Sequence, residues 1–254
     1  MIKFFRKIRY DLMEKNKTGK YLKYAIGEII LVVIGILIAL QINSWYGKQV
    51  NNAKQEKYLE SIVNDLNQQL INLDYHLNEE NENLLDIQKL VSIYNKNKRF
   101  DLNDTTLNYF GSVFDRTTFL ANRPTYTQLL STGDIGLINN AEIRDEIVKY
   151  YQDIERRELV VQKNNDVKDL VINPIFLKNI DLTYPSITKS FKMNETYPRQ
   201  LEQTNINLLQ KDILFETVNI IKVKLISTQA IIQWFEEDKK RTLDLIDLIN
   251  NELK

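Results

Sequence analysis

The most distinct pattern along the chain is one long apolar run near its beginning. Between Lys23 and Lys48 the only charged side chain is Glu28, and residues 29–40 are apolar throughout. A helix from Tyr24 to Trp45 has 22 residues. At about 1.5 Å per residue it is about 33 Å long, enough to cross a hydrocarbon core of about 30 Å. The pattern therefore predicts a single transmembrane helix over residues 24–46.

A cleaved signal peptide is the alternative interpretation of this run. Signal peptides have apolar regions of about 7–15 residues that end at a small-residue cleavage site. Here the basic region before the run is long, and the best cleavage site, around Ala39, is a poor match. The sequence therefore favours an uncleaved signal anchor.

The flanking charges predict the orientation of this helix. Residues 1–23 contain eight Lys and Arg against two acidic residues. The positive-inside rule then puts the N-terminus in the cytoplasm and the bulk of the chain, after about residue 47, in the periplasm of a Gram-negative cell. Within residues 1–23 the basic side chains alternate with apolar ones at helical spacing, which is typical of an amphipathic helix on anionic membrane lipids. An unstructured topogenic tail is the alternative. The proposed membrane-surface residues are Lys3, Arg6, Lys7 and Arg9.

The rest of the chain has the periodicity of helices. Apolar residues from Leu59 to Tyr94 recur at steps of three, four and seven, which predicts one long amphipathic helix. We expect shorter helices near 104–116 and 123–132, the second opened by Asn122 and closed by Gly133. Asn140 is a natural N-cap for another long helix, and a final helix is predicted over about 200–251.

The predicted fold is all-α. It consists of a cytoplasmic basic segment (1–23), the transmembrane helix (24–46) and a long antiparallel periplasmic bundle (47–254). Residues of about 97–140 are expected to form a distal cap of short helices, with the C-terminus also distal.

Composition argues against most catalytic chemistry. The chain has no Cys and one His, His76, which removes disulfides, thiol nucleophiles and most zinc sites. His76 and Glu80 have the i, i+4 spacing of a metal clip, but with no third ligand on that face a solvated charged face is expected. We therefore expect no cofactor, no metal and no enzymatic activity. Nucleic acid is not an expected partner.

Glu28 is the sharpest candidate for a functional residue, because a carboxylate within a membrane helix is costly. Gly35 lies seven residues further on and shares a face with Glu28, so the two form a candidate surface for packing against another helix. The alternative is that Glu28, one turn from the basic end, reaches headgroup water or a nearby lysine.

A second candidate surface lies in the predicted cap. Its aromatic and basic residues could pack against the bundle or line a small-molecule pocket. Arg156 and Arg157 belong to a charge run that is expected to be solvated, with an anion-binding pair as the alternative. The proposed cap-surface residues are Tyr126, Arg144, Tyr150 and Tyr151.

Two blocks carry a family resemblance. These are "PTYTQLLSTGDIGLINNAEIRDEIVKYY", residues 124–151, and the N-terminal "MIKFFRKIRYDLMEKNKTGKYLKYAIGEIILVVIGILIALQINSW". Both resemble an uncharacterised family of single-pass membrane proteins of Bacteroidota, a domain of unknown function. The resemblance implies a flavobacterial-type inner membrane protein and supplies no reaction, cofactor or catalytic residue.

The expected function is a membrane-anchored periplasmic scaffold or interaction protein, in a homo-oligomer or with another inner membrane or envelope protein. One alternative is a ligand-sensing module that works through a partner. Another is an oligomeric pore that uses Glu28.

Overall fold

The computed structural model describes residues 6, 10, 18–181 and 200–254, and within these ranges every regular element is helical. The all-α prediction is confirmed. Lys3, Lys7 and Arg9 lie outside the described residues, as does the amphipathic helix predicted around them, whereas Arg6 is described and exposed. The chain divides into two compact units, Met1–Lys57 and Tyr58–Lys254.

The first unit contains the apolar run in helical form. Helix α1 spans Thr18–Asn97, and the most apolar 18-residue window within it has a mean hydropathy of 2.6 with 0% of its residues buried. By length and composition this helix fits a membrane anchor or a signal sequence.

The second unit is built from the remainder of α1 and a series of further helices. These are α2 (Asp104–Phe114), α3 (Pro124–Thr132), a 3-10 turn (Asp134–Leu137), α4 (Ala141–Val167), a π-helical turn (Lys168–Ile172), α5 (Asn173–Asn179), α6 (Leu201–Leu208) and α7 (Lys211–Glu252).

Two predicted helix ends are confirmed by their local chemistry. The Asn140 side chain accepts hydrogen bonds from the backbone N–H groups of Glu142 and Ile143, so it caps α4. Gly133 ends α3 with φ of 73°, a left-handed conformation that glycine adopts without steric cost.

Asn122 does not cap α3. Its amide instead donates to the backbone carbonyl of Asp65 on α1, at 2.7 Å. The Asp65 carboxylate in turn accepts the N–H of Thr125 in the first turn of α3, at 2.9 Å. A side chain from a neighbouring helix therefore supplies the cap that the local sequence lacks.

The path of residues 97–140 differs from the predicted distal cap. The chain leaves the far end of α1 and returns along it, so that the Tyr58 hydroxyl donates to Asp134 at 2.7 Å. Asn140 donates to Glu252 at 2.8 Å, which brings the C-terminal end of α7 to the same end of the bundle. The predictions of a wholly distal cap and a distal C-terminus are therefore wrong. The apolar stripe of α1 begins near Tyr58, where the second unit starts, and needs covering from there to the Asn97 end of the helix.

The predicted final helix is interrupted near residue 210. Gln210 is extended, with φ of −70° and ψ of 128°, and separates α6 from α7. Leu208 and Val218 both enter one apolar cluster. At about 100° per residue, these two side chains would point about 80° apart on an uninterrupted helix. The break at Gln210 lets α6 and α7 take different directions, so both side chains can face the same cluster.

The core of the second unit consists of two apolar clusters. The first lies toward the Tyr58 end and includes Leu59, Leu66, Tyr151 and Phe235. The second lies toward the other end of α1 and includes Ile87, Phe110, Phe176 and Val218. Each cluster draws on α1, α7, the 100–138 region and the α4–α5 region.

Candidate functional site

A layer of buried polar residues lies between the two apolar clusters. Four segments contribute to both clusters: α1, the 100–138 region, the α4–α5 region and α7. In each of them, polar residues lie between the part that enters one cluster and the part that enters the other. His76, Glu80, Asn83, Thr117, Lys224 and Thr228 are buried, and Asn165 and Lys168 are partly buried. Together with Asp115, these residues form the polar layer.

The layer is organised around the loop that follows α2. Residues 115–117 are not helical, so their carbonyl groups need donors from elsewhere. The Asp115 carbonyl accepts from Lys168 Nζ at 2.7 Å and from Lys224 Nζ at 3.0 Å. The Thr117 carbonyl accepts from the Asn165 amide at 2.9 Å. Side chains from α4, the π-helical turn and α7 thus satisfy the backbone carbonyls of this one loop.

The α1 side of the layer carries a buried carboxylate. The Thr117 hydroxyl donates to Glu80 Oε1, and the Asn83 amide donates to the Asp115 carboxylate at 2.8 Å. Glu80 Oε2 and Thr228 Oγ1 are buried without a hydrogen-bond partner among the described residues. Burying such atoms without a partner is costly. The layer therefore contains more hydrogen-bonding groups than its own contacts satisfy.

Lys168 is the group that this environment perturbs most clearly. Burial, together with the neighbouring Lys224, lowers the pKa of its ammonium group to about 7, although Glu80 and Asp115 oppose the shift. Lys168 is also the first residue of the π-helical turn, a distortion that is frequent at functional sites. A lysine that exchanges its proton near neutral pH can act as a proton acceptor or as a nucleophilic amine.

His76 and Glu80 are not on a solvated face, so that expectation is wrong. The rings of Phe119 and Phe235 lie 6.1 Å and 5.9 Å from the His76 ring and cover it. Burial lowers the pKa of His76, while Glu79 and Glu80 raise it. Within the described part of the chain, no group of three or more His, Cys, Asp or Glu side chains is placed to hold a metal ion.

Glu28 and Gly35 lie in the first unit. Glu28 is half-buried in α1. A Cβ atom added at Gly35 would meet no other described atom within 4 Å, so this position is open to the approach of a second helix.

The aromatic residues predicted on the cap surface are in the core. Tyr126 stacks on Tyr151 with ring centroids 4.4 Å apart, and both are buried. Tyr150 is buried and shares a hydrogen bond of 2.8 Å with the hydroxyl of Thr242. These rings are packing residues because the segment that carries Tyr126 lies along α1 and α4. Arg144 is partly exposed, and its guanidinium lies 3.4 Å from the carboxylate of Asp145.

Comparison with protein-family models identifies the family of this chain. The model of a family of unknown function, DUF6090, matches residues 28–183, more than half of the chain. The chain belongs to this family. The DUF6090 match includes Glu28, Gly35 and the polar-layer residues up to Lys168, whereas Lys224 and the rest of α7 lie beyond it. No curated protein and no solved structure matches the chain.

Proposed function

We propose that this member of DUF6090 is a single-span inner membrane protein of a flavobacterial type of cell. Its N-terminus is cytoplasmic, its bundle is periplasmic, and it serves as a scaffold or interaction subunit. The partners are membrane lipids and either further copies of the chain or another envelope protein.

The exposure of the apolar run carries this proposal. Ile29, Ile34 and Leu40 point to different sides of α1, yet each is at least 50% exposed. A helix that is apolar on all sides is stable in lipid and not in water. The eight basic residues before it favour a cytoplasmic N-terminus.

The absence of cysteine from the sequence allows a clean test of orientation. We expect a membrane-impermeant maleimide to label Asn52→Cys in intact spheroplasts and Asn16→Cys only after lysis. The reverse labelling would refute the orientation. Recovery of a soluble protein that has lost an N-terminal tag would instead indicate a cleaved signal sequence.

The interaction role is supported by the face that carries Glu28 and Gly35. Small residues allow the backbones of membrane helices to approach, and a polar side chain can hydrogen-bond across the contact. Because the space around Gly35 is open, Gly35→Leu leaves the packing of its own chain unchanged. A loss of assembly in this variant therefore reports on a contact between chains.

Ser44 offers a matched control. It lies nine residues after Gly35, on the opposite face of the helix at about 100° per residue. In native mass spectrometry of gently purified protein, we expect a defined oligomer or complex that Gly35→Leu dissociates and Ser44→Leu preserves. A wild-type protein that runs as a bare monomer contradicts the interaction role.

A sensing role through a partner is the second candidate, and the polar layer favours it. Buried groups that titrate near neutral pH are common in sites that respond to protons or ligands. If the bundle senses, Lys168→Met should alter the yield of disulfide-linked dimers formed by Gly35→Cys. The same yield in both backgrounds counts against sensing.

A further inference from the structure

A pocket between α4 and α7 lies apart from the polar layer. It has a volume of about 320 Å³. Its lining combines three arginines, one carboxylate and two apolar side chains: Asp153, Arg156, Arg157, Val160, Trp234 and Arg241. The lining therefore brings positive charge and an aromatic ring together.

Two of the arginines share one acidic partner. Arg156 and Arg241 lie 3.2 Å and 3.0 Å from the two carboxylate oxygens of Asp153. The Arg156 side chain is 74% exposed, so its pair with Asp153 is weak and exchanges readily. An incoming anion can therefore recruit Arg156 at little cost.

The third arginine is held in place from behind. Arg157 lies 3.0 Å from both Glu237 and the fully buried Asp238, while Nη1 of Arg157 is buried without a hydrogen-bond partner among the described residues. Burial raises the pKa of Asp238 to about 6, although Arg157 and Arg241 lower it. The guanidinium of Arg157 thus has a fixed position and unused donors.

The apolar wall determines what else a ligand would carry. The Arg157 guanidinium lies 5.9 Å from the centre of the Trp234 ring, within the range of a cation–π contact. Val160 continues this wall from α4. A planar or apolar group of a ligand placed here would pack against the Trp234 ring, and this contact would remove the apolar surface of both from water.

We propose that this pocket binds a small organic oxyanion: a carboxylate, sulfonate or phosphate monoester attached to an aromatic or apolar group. Arg156 and Arg241 grip the oxyanion with their planar donor forks, and Trp234 with Val160 contacts the apolar part. This inference does not depend on the assembly function proposed above, because it concerns α4 and α7 alone.

The two tryptophans of the chain permit a direct test on the full-length protein. Trp45→Phe leaves Trp234 as the only tryptophan reporter, and phenyl phosphate, inorganic phosphate and phenol serve as probes in detergent solution. We expect a saturable change in Trp234 fluorescence with phenyl phosphate, a weaker response to inorganic phosphate and none to phenol. An equal response to phenol, or no saturation with phenyl phosphate, overturns the proposal.

Substitutions connect the signal to the arginines. In the Trp45→Phe background, Arg156→Gln and Arg241→Gln should each weaken binding about tenfold, the effect of losing a charged hydrogen bond. Arg99→Gln is the matched control, since Arg99 is an exposed arginine paired with Asp101 at 3.0 Å on another part of the unit. Arg156 is exposed enough for its variant to fold, so an unchanged affinity in Arg156→Gln also refutes the proposal.

A phosphate monoester can be a soluble metabolite or the headgroup of phosphatidic acid. Competition by short-chain phosphatidic acid at lower concentration than phenyl phosphate indicates the lipid source. Weaker competition indicates a soluble ligand. Both results retain the oxyanion chemistry of the pocket.

Discussion

Replacing Lys168 by Met should remove a defined part of the pH dependence of folding. The folded-state pKa of Lys168 is lowered to about 7, whereas the unfolded chain has the ordinary value of about 10.5. The folded state therefore binds fewer protons than the unfolded state between these values. The destabilisation that comes from burying the Lys168 ammonium group is consequently fully present below about pH 7, and it is relieved as the pH rises from about 7 toward 10.5.

The magnitude follows from the protonation of the two states. Between pH 6 and pH 9, Lys168 loses its proton in the folded state and keeps it in the unfolded state. The two states differ in bound protons mainly from pH 7 to pH 9, which is about two pH units. At about 1.36 kcal/mol per unit this gives at most about 3 kcal/mol. Lys168 is only partly buried and shares its environment with Lys224, so we expect about 1–2 kcal/mol.

Thermal unfolding of the full-length protein in mild detergent measures this difference. For a unit of this size, about 1–2 kcal/mol corresponds to roughly 3–6 °C in Tm. Wild type should gain this much more than Lys168→Met between pH 6 and pH 9. Lys163→Met is the control, because Lys163 lies on α4 with a side chain that is 70% exposed. Equal gains in wild type and Lys168→Met would refute the reasoning.

Three further predictions follow from other features. The folded pKa of Asp238 is raised to about 6, so its carboxyl favours the folded state at low pH and this stability is lost as the pH rises from about 4 to 6. Asp238→Asn should become more stable relative to wild type across that window, by at most about 3 kcal/mol in denaturant titrations, and a constant difference would contradict the assignment. Phe235→Ala should cost about 3–5 kcal/mol in the same assay, because the ring is buried against Phe119 at 4.9 Å; a loss below 1 kcal/mol would show that this cluster is not tightly packed. Gly133→Ala should cost about 1–2 kcal/mol through backbone strain, and Gly133→Asn less, so equal losses would point to another cause.

The helices were predictable because their signals are local. The steps of three and four from Leu59 to Tyr94, the Asn140 cap and the glycine at 133 each act within a few residues along the chain. The α3 cap was not predictable in the same way, because Asp65 reaches Thr125 across 60 residues. Local sequence cannot specify a donor or acceptor that only the tertiary fold brings close.

An interruption of the apolar stripe of α1 marks the polar layer in the sequence. The apolar stripe of α1 takes a step of seven residues from Leu77 to Leu84, and Glu80 and Asn83 occupy the inward positions among the six residues between them. Lys224 had no comparable signal, since a single lysine between apolar residues usually marks an exposed face. Its burial depends on the Asp115 carbonyl, which becomes available only when the loop after α2 packs against α7.

The division of the core into two apolar clusters has a consequence for how the bundle opens. A polar layer contributes less cooperative packing than the apolar clusters on either side, so each cluster can exchange with solvent as its own unit. Backbone amides beside Leu66 and Ile147 should then exchange together, and those beside Phe110 and Leu208 should form a separate group. The layer would thus act as a mechanical joint that allows one half of the bundle to loosen while the other stays closed.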